Sequence, residues 1–337
     1  MSEFLTFSNG LKVPMVGLGT WRGGDTVTEA VKTAIDVGYR HFDCAYAYQN
    51  EDKVGTALKE KIDEGKVSRS DLFITSKSWV TFRTRERTVT GFHKSLKAFG
   101  LDYLDLYLIH IPVSLKQTDE EHFPVNSDGT CQVDDDIDYL ETWKGMEELV
   151  KSGLVKSIGV SNFSLNQLKR VLDNCEIKPV TNQIECHPYF NQEDLVKGCQ
   201  ELGVSVTAYS PLATPERLPG MEDIPQLLSN EVLVDIAKKY NKSAAQIALR
   251  YQLERNVSII PKSSNPDRIK QNFDVTLPFI YKSDDIDAAR DVIPVARDVI
   301  PVAREALVMD FKLTEEDMKR INALDIGKNG RILTGKM

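Results

Sequence analysis

Four side chains in the first third of the chain, Asp43, Tyr48, Lys77 and His110, are of the types that proton transfer requires. A phenol has a pKa of about 10 in water, so a tyrosine that gives and takes a proton near neutrality needs its phenolate stabilised, at roughly 1.4 kcal/mol per unit. An ammonium can do this. At an effective dielectric of about 20, a charge about 4 Å away is worth on the order of 4 kcal/mol before its own desolvation is subtracted. Lys77 is the candidate, and a lysine buried in such a place loses its proton unless paired, which gives Asp43 a reason to be present. His110 can then orient a carbonyl and stabilise negative charge developing on its oxygen. Taken singly, each residue is a satisfied polar group at a strand end. Only as a set do they point to general acid–base chemistry.

For the four to meet, the segments that carry them must be neighbours. Short apolar runs of strand length alternate along the chain with longer segments of helical period, the pattern of parallel strands joined by crossover helices. Eight such runs occur: Met15 to Leu18, His41 to Phe42, Leu72 to Thr75, Leu104 to Ile109, Ser157 to Val160, Val180 to Ile184, Val204 to Ala208 and Val257 to Ile260. The intervening amphipathic stretches include Thr28 to Val37, Asp52 to Ile62, Arg87 to Phe99, Tyr139 to Lys151, Leu165 to Leu172, Glu193 to Leu202 and Ala244 to Leu253. Ahead of them, Phe4 to Phe7 and Leu11 to Val13 flank Asn9-Gly10, a hairpin turn signal because both residues tolerate positive φ. Strict alternation over one continuous length predicts an α/β fold, a single (β/α)8 TIM barrel with an N-terminal β-hairpin. The runs finish in Thr20, Asp43, Lys77, His110, Asn162, Gln183, Tyr209-Ser210 and Lys262-Ser263, a polar ring that such a barrel gathers on its C-terminal face, where barrel enzymes carry their sites.

Composition narrows the classes further. At 337 residues and 41% hydrophobic, the chain can bury a large core in one barrel or two ordinary domains. A formal net charge of -8 repels phosphate backbones and anionic lipid, and no run of clustered Lys and Arg offsets it, so neither nucleic acid nor a membrane is an expected partner. The five cysteines form no C-x-x-C pair, and an odd count suits a reducing compartment. With no basic-then-apolar leader at MSEFLTFSNG and no apolar run of spanning length, a cytoplasmic location is expected. Gly17-Leu18-Gly19 after a strand suggests a Rossmann loop, but the third glycine falls at Gly23, one place late, and no ribose-binding acid sits clearly at the usual spacing. No tyrosine is followed four residues later by lysine, which removes the Tyr-x-x-x-Lys pairing of short-chain dehydrogenases. The five histidines are scattered and Cys186-His187 is isolated, so no metal site is expected.

The stretches G-L-G-T-W (Gly17 to Trp21), Y-R-H-F-D-C-A-Y-A-Y (Tyr39 to Tyr48), L-D-L-Y-L-I-H (Leu104 to His110), G-V-S-N-F (Gly159 to Phe163), N-Q-I-E-C-H-P (Asn182 to Pro188) and I-P-K-S (Ile260 to Ser263) closely resemble the aldo-keto reductase family, its aldose and aldehyde reductase branch above all. The likeness runs from about Phe4 to Val275 and resumes near Phe311. It implies NADPH-dependent reduction of an aldehyde or ketone by a monomer, with Asp43, Tyr48, Lys77 and His110 as the catalytic tetrad and Tyr48 as the general acid. It also implies that Ser161, Asn162 and Gln183 hold the nicotinamide carboxamide while Tyr209 stacks on the ring. Ser210 and Leu212 would contact the pyrophosphate, Lys262, Ser263, Arg268, Gln271 and Asn272 lie at the adenosine end, and Thr20, Trp21 and Asp43 complete the cofactor site at the rim. Asn265 and Gln271 depart from the threonine and glutamate usual there. Charge alone favours NADP(H): Lys262 and Arg268, one at a strand end and one in the helix beginning near Pro266, can clamp a dianionic 2'-phosphate that NAD(H) lacks.

Trp21, Trp79 and Phe123 resemble the family's apolar walls around the carbonyl, beside Tyr48 and His110, although each is also consistent with ordinary core packing. Ile111 stands where the nearest relatives carry an aromatic ring, and the tail GKNGRILTGKM is short of aromatics, so an open, permissive pocket for a small carbonyl substrate is expected. One domain over residues 1–337 is expected, with a peripheral insertion at about 276–310 in which RDVIPVA occurs twice in tandem, Arg290 to Ala296 and Arg297 to Ala303. A second reading, from a different class, is a non-enzymatic or dual-role NADP(H)-binding partner protein that docks through this insertion.

Overall fold

The computed structural model describes residues 4–214, 224–275 and 311–332. Eight parallel strands follow one another around a barrel in chain order: β3 (Gly17–Gly19), β4 (His41–Asp43), β5 (Phe73–Ser78), β6 (Leu104–Ile109), β7 (Val155–Ser161), β8 (Thr181–Glu185), β9 (Ser205–Tyr209) and β10 (Ser258–Ile259). Closure comes from parallel bridges Val16 to Ile259 and Gly19 to Lys262. Glycine is needed at 19 because a Cβ there would stand 2.7 Å from the Ile260 carbonyl oxygen across the seam. The first hairpin, β1 (Phe4–Thr6) with β2 (Lys12–Pro14), turns at Gly10, whose φ is +87°. It plugs the N-terminal end of the barrel: Phe7 meets Phe73, the first residue of β5, edge to face, and Asn9 Nδ2 donates to Ser157 Oγ at 2.8 Å.

The crossover helices are α1 (Val27–Val37), α2 (Glu51–Asp63), α3 (Arg85–Phe99), α4 (Tyr139–Lys151), α5 (Leu165–Asn174), α6 (Glu193–Glu201), α8 (Ala244–Glu254) and α9 (Pro266–Phe273). Side-chain caps fix where several begin: Ser164 with Gln167 and Ser243 with Gln246 form capping boxes, and Asn265 Oδ1 accepts from the Arg268 N–H at 2.9 Å. Two helices, α7 (Glu231–Tyr240) and α10 (Glu315–Asn322), are additional to the alternation read from sequence. They explain why α8 is buried all round from Gln246 to Leu253. Leu249 and Leu253 face the barrel core, whereas Ile247, Ala248 and Tyr251 join a second cluster with Leu233 and Ile236 of α7 and Ile321 of α10. The strand ends also shift slightly, since the ladders carry Asp43, Lys77 and Tyr209 inside the strands rather than just beyond them.

The expected insertion at 276–310, with both copies of RDVIPVA, lies outside the described residues, as does the tail beyond Ile332. The last described residue before the first of these segments is Val275, and just ahead of it Phe273 packs against Gly38 in the turn that feeds β4, at the N-terminal rim. Among the described residues, no helix is long and apolar enough to cross a membrane.

Candidate active site

The C-terminal ends of β4, β5 and β6 and the turn after β4 bring Asp43, Lys77, His110 and Tyr48 together. Lys77 projects from β5 into the barrel mouth and is completely buried. Its ammonium donates to Asp43 Oδ1 at 2.5 Å, to the Cys44 carbonyl at 2.7 Å and to Tyr48 Oη at 3.4 Å. Asp43, 2% exposed, spends its second oxygen on Gln183 Nε2, 2.7 Å away across the barrel. A buried charge pair with every short bond made is what a cation needs to persist out of water. Tyr48 and His110 complete the group, their rings edge to face with centroids 5.7 Å apart.

The electrostatics differ from the sequence expectation in one respect. Burial, and next the Asp43 carboxylate, hold the Tyr48 phenol well above its ordinary pKa, not below it. The reason is visible in the pairing: Asp43 keeps the Lys77 charge in place but also cancels its field at the phenol, and the Lys77 to Tyr48 contact is the longest the ammonium makes. Burial, followed by the charges of Lys77 and Arg83 and by His122, pushes His110 well below the usual imidazole range. At neutral pH the site therefore presents a protonated phenol beside a neutral imidazole, whose Nδ1 has no partner among the described residues.

Beyond these four, a row of polar groups continues along the rim. Thr20 Oγ1 donates to the Asp43 carbonyl at 2.9 Å, and Ser161 Oγ to the Gln183 carbonyl at 2.8 Å. Asn162, in the left-handed region at φ +64°, donates to the His110 carbonyl at 2.9 Å and accepts from Tyr209 Oη at 2.8 Å. Ser210 also has positive φ, and Leu212 is half-buried against the core. At the far end, Lys262 and Arg268 are exposed, while Ser263 and Asn272 are buried and Gln271 is exposed. Ser263 Oγ accepts from the Asn265 N–H at 3.2 Å, so this loop leads straight into the capped start of α9.

Trp79, buried, lies 5.1 Å from the His110 ring and 4.9 Å from Phe123, which is half exposed, and Ile111 packs beside it. Trp21 follows Thr20 on the rim, 37% exposed, with the Arg22 guanidinium 4.8 Å over its ring. Two residues of this region escaped sequence reasoning. His122 stacks on both Trp79 and Tyr46 and places Nε2 3.2 Å from the Ala47 carbonyl, tying the 112–138 loop to the turn that bears Tyr48. Only its place next to Phe123 could have suggested this. Asn50 Nδ2 donates to the Thr20 carbonyl at 3.0 Å and braces the same turn. Among the described residues, no group of three or more His, Cys, Asp or Glu could hold a metal ion.

The sequence profile of the Aldo/keto reductase family matches residues 15–294. Aldo-keto reductase family 1 member A1 of Gallus gallus is 43% identical over 333 residues, 98% of this chain and 90% of its own length. Among solved structures, the aldose reductase of Schistosoma japonicum superposes with a TM-score of 0.82 at 38% identity, covering 97% of this chain and 93% of its own. An aldo-keto reductase of Bombyx mori in complex with NADP superposes with a TM-score of 0.80 at 38% identity, covering 99% and 95%.

Proposed function

The chain belongs to the aldo-keto reductase family, and from that premise we propose that it reduces an aldehyde or ketone to the alcohol at the expense of NADPH, with Tyr48 as the proton donor. The observation that carries this reading is the buried line of contacts from Asp43 through Lys77 to Tyr48, ending beside His110 at the barrel mouth. When bound, reduced nicotinamide supplies hydride to the carbonyl carbon. The protein's own part is to hold the substrate oxygen between Tyr48 and His110 and to deliver a proton to it.

The protonation states suit that direction. A donor must be loaded, and burial keeps Tyr48 loaded at neutral pH. A neutral His110 can donate one hydrogen bond to the developing oxyanion without a competing equilibrium of its own. Alcohol oxidation, by contrast, begins from the phenolate, so its rate is expected to climb toward alkaline pH.

The donor set fits the cofactor. Amides at Asn162 and Gln183 and the hydroxyl of Ser161 cluster beside Tyr209, a ring at a strand end, as a carboxamide and nicotinamide face require. Ser210 and Leu212 follow on the same turn. Lys262 and Arg268, both exposed, flank the Asn265-capped N-terminus of α9, where cations and free N–H groups favour a phosphate dianion; this supports NADP(H) over NAD(H). Trp79, Phe123 and Ile111 offer a hydrophobic wall beside His110, which supports substrates with an apolar part.

The test is loss of NADPH absorbance with a panel of aldehydes, measured for the natural protein and for Tyr48→Phe. The variant is expected to lose about 10²- to 10⁴-fold in kcat while still binding NADPH. Equal consumption by the two proteins would remove Tyr48 from its assigned role.

A further inference from the structure

Arg83 lies just beyond β5, ahead of α3, and is 1% exposed. A guanidinium taken out of water normally keeps a carboxylate beside it. Arg83 has none among the described residues. It spends its nitrogens on main-chain oxygens instead: Nη2 donates to the Ile111 carbonyl at 2.7 Å and Nε to the Val113 carbonyl at 3.2 Å, while Nη1 finds no partner. Its own backbone is fixed on both sides, the N–H donating to Gln117 Oε1 at 2.7 Å and the carbonyl accepting from Thr142 Oγ1, also at 2.7 Å.

The two carbonyls belong to the turn that leaves β6 directly after His110. A fork that grips both ends of Ile111-Pro112-Val113 fixes the path of this turn, and so the ring of His110 and the pocket wall at Ile111. Burying a cation with an unused donor is costly, and a purely structural brace could be neutral. We infer that Arg83 is a positioning residue for the proposed reaction: its guanidinium clamps the turn carrying His110 and Ile111 through the Ile111 and Val113 carbonyls. Burial draws the guanidinium down to about 9, with Tyr107 opposing the shift, so it stays charged at neutral pH. The groups that face His110 are Lys77 from β5, Arg83, His122 from the loop and Tyr48 from the turn after β4. Three of these are cationic or can become so. Together with burial they favour the neutral imidazole that donates to a carbonyl oxygen.

This inference rests on His110 facing the substrate as proposed above, so its test has an arm independent of turnover. The His110 ring is followed by NMR across a pH titration in the full-length natural protein, Arg83→Gln and Arg83→Lys, and kcat and KM for an aldehyde are measured in parallel. In Arg83→Gln the His110 titration is expected to move to higher pH and KM to rise about tenfold, the size expected for losing a charged hydrogen bond, with a smaller change in kcat. In Arg83→Lys, which keeps the charge but not the fork, the titration is expected to stay in place while KM rises. A folded Arg83→Gln protein whose His110 ring resonances and KM both match those of the natural protein overturns the inference. Should that variant fail to fold, an Arg83→Lys protein with unchanged KM overturns it equally. If the natural protein consumes no NADPH with any aldehyde, the reductase reading fails, and the NMR titration still decides the role of Arg83.

Discussion

The barrel buries a carboxylate beside cations at each end, and the two clusters are built from similar parts for different ends. At the N-terminal end Asp105, 2% exposed, accepts from Arg69 Nη2 at 2.8 Å, from the Ile74 N–H at 3.0 Å and from Lys156 Nζ at 2.8 Å. Both cations also lie over the ring of Tyr103, at 3.9 and 4.3 Å, and both reach solvent. Both oxygens of the Asp105 carboxylate are paired, and the nitrogen left over among the described residues, Arg69 Nε, belongs to a side chain that reaches solvent. At the C-terminal end Asp43 and Lys77 are also buried, but the outermost contact stretches to 3.4 Å at Tyr48, and His110 keeps a nitrogen without a partner among the described residues. A carboxylate paired on both oxygens with solvent-reaching cations marks a brace, whereas a stretched contact to a phenol and a bare imidazole nitrogen at a barrel mouth mark a place where a ligand can bind.

The largest effect is expected from Lys77→Met, at the centre of the C-terminal cluster. It removes the ammonium from Tyr48 and leaves Asp43 buried with only Gln183, so two losses should appear together: about a thousandfold in kcat and about 3–5 kcal/mol in stability. Unfolding monitored alongside NADPH oxidation separates them. A variant that loses stability but turns over normally would place the proton chemistry elsewhere.

Asp105→Ala is the matching change at the other end, and only one loss is expected. Stability should fall by about 3 kcal/mol, less than a wholly buried pair would suggest because Arg69 and Lys156 can turn to water once released. Steady-state kinetics at a temperature where the variant remains folded should be unchanged. A specific fall in kcat with intact folding would mean that the two ends are coupled through β5 and β6, and the contrast drawn above would collapse.

Much of this contrast is legible in the sequence, and the unread part has definite causes. Strand β6 and helix α4 come out to the residue, because an apolar run interrupted only by Asp105 and a sharp N-cap at Asp138 leave no ambiguity. The four mouth residues are legible because strand ends in a (β/α)8 pattern must converge. Arg83 is not: in Phe82-Arg83-Thr84-Arg85-Glu86-Arg87 it looks like one more charge on a solvated face, and only the packing of the 110–117 loop over it distinguishes it from Arg85, which pairs with Glu148 at the surface. Helix α7 escapes for a related reason. It is a short helix outside the β/α alternation, and its apolar face has meaning only against α8 and α10. The direction of the Tyr48 shift was also out of reach, since it turns on how completely Asp43 offsets Lys77, a matter of ångströms and not of residue type.

The smallest effect is expected at Glu51, a buried carboxylate that no cation touches among the described residues. It opens α2, is 4% exposed, and accepts from Ser76 Oγ on the outer face of β5, one residue before Lys77. Burial pushes it up to about 7 from 4.5 despite that bond. An acid whose folded pKa lies above its unfolded value holds its proton more tightly when folded, so the natural protein loses stability as pH rises from about 4.5 to about 7, and the full penalty applies above that range. Replacing it by Glu51→Gln keeps an acceptor for Ser76 and removes the charge. The variant should therefore be more stable than the natural protein at pH 8, by on the order of 3 kcal/mol, and the advantage should shrink steadily to nothing as pH is lowered toward 4.5. Denaturant midpoints of the two proteins at pH 5, 6, 7 and 8 follow this directly. A gap that stays constant with pH would show that the Ser76 contact cancels the effect of burial, and that this carboxylate belongs with Asp105 among the well-paired ones.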